Sequence, residues 1–192
     1  MAYWFYNAVN LTTIDITNLN TNYIYNMHNT FYECENLTTA PFCGDSVTNM
    51  RNAYHGSSIV KGSPVCGNKV TDMSYAYYFC NGITGDAVCG PNVTNMCLAY
   101  EFCEKLTGKP ACGNKVIDMH SAYESCHNLT GSPVCGPNVT NMYSAYKTCY
   151  NLTGSPVCGP NVTNMYSAYS DCNHLTGSPV CGDKVTNMYY TY

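Results

Sequence analysis

Residues 135–157 read CGPNVTNMYSAYKTCYNLTGSPV and residues 158–180 read CGPNVTNMYSAYSDCNHLTGSPV, two successive copies of one phrase with two cysteines in each. Steps of 23 residues along the chain meet the first of those cysteines at Cys43, Cys66, Cys89, Cys112, Cys135, Cys158 and Cys181 without a gap. A fixed period of this length predicts a solenoid, in which each repeat buries its apolar face only against its neighbours.

A residue type that recurs in every copy must stack on itself, and this sorts positions by role. Val47, Val70, Val93, Val116, Val139, Val162 and Val185 recur throughout, and a methionine follows three residues after each, from Met50 to Met188. Three residues beyond each of these Met residues up to Met165 comes an Ala–Tyr pair, from Ala53–Tyr54 to Ala168–Tyr169. This beat of three to four residues predicts that VTNMYSAYKTC is a short helix, with Thr and Asn or Asp ahead of Met at its N-cap. The other half of each copy predicts a short strand. Its rungs are Leu37, Val60, Ile83, Leu106, Leu129, Leu152 and Leu175, which at a strand spacing of about 4.8 Å would build a narrow parallel sheet. Prolines at 41, 64, 110, 133, 156 and 179 cannot donate to a ladder and keep each strand short. The glycine after the first cysteine, from Gly44 to Gly182, is expected to supply a turn with positive φ.

The fold expected is α/β: a solenoid of about eight coils, with a short parallel sheet on one side and short helices on the other. Residues 1–192 form a single repeat domain. Residues 1–33 make an atypical N-terminal coil with a 26-residue spacing (Leu11 to Leu37), and residues 34–192 carry the regular repeats.

The chain has 192 residues, 45% of them hydrophobic and only 10% charged, with Asn, Thr, Ser and Tyr in place of the usual Lys and Glu. A net charge of −4 without a basic run gives no electrostatic footprint for nucleic acid or anionic lipid. No apolar stretch approaches the ~20 residues that cross a bilayer, so no membrane insertion is expected. The residues after Met1, AYWFYNAVNL, lack the charged n-region and long h-region of a signal peptide, so any export signal lies outside this chain.

The succession Cys-x-x-Leu-Thr, a Pro-containing turn, Val-Thr-x-Met and Ala-Tyr-x-x-Cys resembles the BspA-like branch of the leucine-rich repeats, found in bacterial surface proteins. NLTTIDITNLNTNYIYNMHNTFYEC, residues 10–34, is similar to the longer variant of that repeat. The resemblance spans essentially the whole chain and implies the solenoid together with a binding or adhesion surface. It also implies roles for the cysteines. Cys34, Cys80, Cys103, Cys126, Cys149 and Cys172 take a buried position at the helix end, where Ala8 and Ser57 substitute. LTTAPFCG, residues 37–44, aligns Cys43 with a core Leu, which makes the first cysteine row a core rung and turns the preceding residue (Phe42, Val65) outward. A one-residue slip would reverse those faces.

Disulfides within a coil are disfavoured, because partners such as Cys126 and Cys135 are nine residues apart along a strand, beyond the ~7 Å Cα limit. The regular ladder argues instead for free thiols acting as small hydrophobes. No metal site or other cofactor is expected. C-x-x-C is absent, and His28, His55, His120, His127 and His174 are read as falling at different repeat positions. No catalytic constellation stands out, so the chain is expected to be non-enzymatic. The N-x-[ST] sequons, such as those at Asn92, Asn138 and Asn161, sit in repeated turns where Asn and Thr satisfy backbone groups.

Specificity should lie where copies differ. Candidate binding residues are Tyr78, Phe79, Phe102, His120, Tyr143, Tyr166 and Tyr189, a Tyr-rich surface suited to a protein or glycan ligand. The expected function is an adhesion module on a bacterial surface or a phage-encoded fibre, extracellular or at the cell surface, with the cytoplasm left open. The alternatives are a structural spacer or self-assembling scaffold, and ice binding through a Thr row (Thr48, Thr71, Thr94, Thr140, Thr163, Thr186) that Ile117 interrupts. The aromatic residues at both ends predict end-to-end self-association or continuation in a longer chain.

Overall fold

The computed structural model describes residues 1–178 and 180–192; the proline at 179 lies outside the described residues. The repeat period is the architecture. Parallel bridges join Asn26, Asn49, Asp72, Asn95, Asp118, Asn141, Asn164 and Asn187 in one column, so residues 23 apart lie in register on neighbouring coils. The Val, Met, Ala–Tyr and Leu rungs of the inner coils are fully buried.

The expected α/β solenoid with helices and a sheet is wrong. Among the described residues the only regular element is one turn of 3-10 helix, Thr21–Tyr23, and pairing is confined to single bridges. The segment read as helix fails to be one because of how its backbone donors are used. The N–H groups of Met142, Ser144, Tyr146 and Thr148 donate to the next coil, at Asn164, Tyr166, Ala168 and Ser170, over 2.8–2.9 Å. The alternate N–H groups of Ala145, Lys147 and Cys149 close turns onto Met142, Ser144 and Tyr146. A helix would need all of these donors four residues back along its own chain.

Each coil also places two residues in the left-handed region, which an α-helix excludes. In this coil they are Ser144 (φ 49°) and Thr148 (φ 58°); in the preceding ones Ser121 and Ser125 (48° and 62°) and Leu98 and Phe102 (53° and 60°). Each is the third residue of a β-turn, the position where type II turns require positive φ. The expected N-cap chemistry survives in another use: Asn141 Oδ1 accepts the N–H of Tyr143 at 3.1 Å and closes an Asx-turn.

The inter-coil ladder runs through Thr-Asx-Met, the segment read as a helix start. Thr163 donates both its N–H (2.9 Å or less, as in its neighbours) and its hydroxyl (3.1 Å) to the Thr140 carbonyl. On the leg read as strand, the Leu rungs pack as expected but the sheet does not form. Only one or two bonds remain where coils pair on this leg, such as Thr153 N–H to the Gly131 carbonyl at 2.9 Å, before glycines at positive φ and the prolines turn the chain away. The three extra residues of the 26-residue coil fall between Thr12, which pairs with Thr38, and Tyr25, which pairs with Thr48.

The buried tyrosines stack ring on ring from Tyr54 to Tyr169 at 5.3–5.5 Å, within 8° of parallel. Each hydroxyl crosses the coil to an otherwise unpaired peptide: Tyr146 accepts the Val134 N–H at 3.1 Å and donates to the Val134 carbonyl at 2.7 Å.

Cys80, Cys103, Cys126 and Cys149 are fully buried. Their thiols donate to the tyrosine carbonyl of the preceding coil over 2.9–3.0 Å. Ser57, in the same row, makes the same bond to Phe31 at 2.7 Å, so the position favours a small donor and not smallness alone.

The first cysteine row is only half-buried from Cys43 to Cys158, as are Phe42 and Val65 beside it; Pro41, Pro64 and Pro133 fill the core here instead. The expected core-rung role of these cysteines is therefore corrected. The glycine after each is also misread, because none from Gly44 to Gly182 has positive φ. It is required for space. A Cβ on Gly90 would stand 2.8 Å from the Gly67 carbonyl oxygen and 2.9 Å from Cys66 Sγ. Burial pushes the Cys66 and Cys112 thiols up to about 12, against a lowering from the Gly90 and Gly136 backbone, and all the cysteines are free thiols.

Candidate functional site

Register at 23 residues turns sequence positions into columns. One column holds Cys97, His120, Tyr143, Tyr166 and Tyr189, each presented by an Asx-turn two residues upstream and followed by a left-handed residue. Tyr143 stacks on Tyr166 at 5.1 Å, Tyr166 lies 5.8 Å from Tyr189, and the edge of His120 meets Tyr143 at 6.2 Å. Tyr143 and Tyr189 are 41% and 62% exposed. Four of the residues expected from sequence thus form one continuous strip.

The other three meet in a second group. Tyr78 continues a stack from Tyr32 through His55 at 4.5 and 4.6 Å, and Phe102 lies 5.9 Å from Tyr78 and 5.1 Å from Phe79. In later coils this column becomes Glu101, Glu124 and Lys147. Lys147 Nζ pairs with Glu124 Oε1 at 2.9 Å. Glu101 is buried with Oε2 unpartnered; burial first, then Glu124, push its carboxyl up to about 7.

Sequence reasoning missed a cluster at the head of the first column. Cys97 Sγ lies 3.8 Å from His120 Nε2, and His120 Nδ1 lies 3.7 Å from Asp118 Oδ2. The other carboxylate oxygen of Asp118 accepts the His120 N–H at 3.0 Å. Asp118, with Cys97 behind it, raises the His120 imidazolium well above the usual histidine range. The signal was in the sequence: Cys97 and His120 are 23 residues apart and so share a column.

The Thr row named from sequence as a candidate ice-binding face borders an open groove of about 630 Å³, lined by Thr94, Ile117, Thr140, Thr163, Lys115 and Lys184 among others. Its donors are already committed to the fold. Thr94, Thr140 and Thr163 hydroxyls donate to the preceding coil, Lys115 to Asn92, and Lys184 to Asn161. The sequon asparagines are committed in the same way: Asn92, Asn138 and Asn161 donate side-chain N–H bonds to carbonyls of the preceding coil.

The family described as Mycoplasma protein of unknown function, DUF285, matches residues 1–105, more than half of the chain. The chain belongs to this DUF285 family. No curated protein and no solved structure matches it. The matched coils contain Tyr78, Phe79, Phe102 and Cys97; His120, Tyr143, Tyr166 and Tyr189 lie in coils beyond the match that keep the same period. No helix among the described residues is long and apolar enough to cross a membrane.

Proposed function

We propose that this DUF285 chain is a non-enzymatic recognition module that binds a protein ligand through its aromatic columns at a bacterial surface or on a phage-encoded fibre, in the manner of BspA-like repeat proteins. The observation that carries the reading is the strip from Tyr143 through Tyr166 to Tyr189, large rings held in register on the stack, with Tyr143 and Tyr189 open to solvent and Tyr166 half-buried between them. Preordered tyrosines offer much contact area for little loss of side-chain freedom. A ring sandwiched between parallel neighbours offers its edge and hydroxyl rather than its face. That favours a protein over a sugar, which stacks on an open ring face. The Thr groove is the weaker alternative, since its hydroxyl and ammonium donors are spent within the fold.

The test is a binding screen of the full chain against cell-surface protein and glycan panels, repeated with Tyr143→Ser/Tyr166→Ser. Serine already stands in this column at Ser74, so the variant preserves the turn. A protein ligand bound at least about tenfold more weakly by the variant supports the reading, since anchor rings at interfaces carry losses of that size. Glycan-only binding, identical binding by the variant, or no ligand at all, as a structural spacer requires, contradicts it.

A further inference from the structure

We propose that Cys97, Asp118 and His120 form a binding site for a divalent transition-metal ion of the zinc type. The three residues each offer one donor atom, and these atoms lie within 4.8 Å of one another. Around a tetrahedral zinc with bonds of about 2.0–2.3 Å, ligand atoms stand roughly 3.5 Å apart. The 3.8 Å from Cys97 Sγ to His120 Nε2 is already close to that separation. Half-buried side chains at a turn can close the rest by rotation about χ1 and χ2.

The donor set of one thiolate, one imidazole and one carboxylate suits a borderline ion and not Mg²⁺ or Ca²⁺, which take oxygen. The backbone supplies the support that metal ligands need. Asp118 uses one oxygen to hold the His120 peptide N–H and keeps the other facing the imidazole. Three protein ligands leave at least one coordination position open toward solvent.

The repeat provides control variants, because each replacement already occupies the equivalent position in another coil: Cys97→Ser as at Ser74, Asp118→Asn as at Asn141 and His120→Tyr as at Tyr143. The experiment titrates Zn²⁺ and Co²⁺ into the reduced full chain carrying Cys181→Ser, which removes the exposed thiol. Calorimetry should give one ion per chain, the melting temperature should rise with Zn²⁺, and Co²⁺ should show a thiolate charge-transfer band. In each of the three variants the affinity should fall at least about tenfold, with the band lost in Cys97→Ser, while the metal-free chain still melts in one cooperative transition. Absence of the thiolate band, or equal binding by Cys97→Ser and His120→Tyr, overturns the proposal.

Discussion

Tyr146 shows how much one atom decides in this chain. Its ring stacks between Tyr123 and Tyr169, which phenylalanine would do as well, but its hydroxyl satisfies both polar groups of the Val134 peptide. Tyr146→Phe should therefore cost about 1–3 kcal/mol, the range for leaving buried polar groups unpaired, in denaturant unfolding at constant m. A loss below the error of the measurement would mean that water reaches Val134. The core rungs were legible at this scale, because a residue repeated in every coil has to stack. The bond itself was not, since it joins positions 12 apart that no period links. Gly90 was misread for a related reason: the sequence shows that glycine is needed, and only the stacking shows that the need is room beside Cys66 Sγ.

At the scale of the element, the helix expected over Val139–Cys149 and the turns found there share one pattern of burial. Val139, Met142, Ala145–Tyr146 and Cys149 are all buried, and a succession of β-turns brings them inward at the same three-to-four-residue interval as a helix. The pattern alone could not decide. Composition pointed the other way, because Thr, Asn, Tyr, Ser and Cys are modest helix formers, and the coil-to-coil bonds that reward the turns involve the next repeat. Gly56 separates the two accounts. It holds the second left-handed position of its coil at φ 71°, where a Cβ would meet the flexible Glu33 side chain at 3.1 Å. Gly56→Ala should lower stability by about 1 kcal/mol, the penalty of a left-handed L-residue. A helix at this place predicts the opposite sign, a gain of roughly 0.5–1 kcal/mol in the same thermal unfolding measurement.

For the whole molecule, the period of 23 was readable and its consequence is the column. Tyr143, Tyr166 and Tyr189 become one strip, and Cys97 meets His120, because each coil sets its residues over those of the last. The seven binding residues named from sequence were therefore gathered into two groups, whereas the cluster needed both the Asx-turn that sets the Asp118 carboxylate against His120 two residues on and the coil register that sets Cys97 beside it. The proposed recognition and the proposed metal binding both rest on a stack of turn-built coils that, among the described residues, keeps this register without α-helices or a continuous sheet. Its far-ultraviolet circular dichroism is the most direct test. The account predicts a spectrum without the paired minima of α-helix in the native, fully folded chain. A helical spectrum amounting to one short helix per coil, lost cooperatively on unfolding, would contradict it.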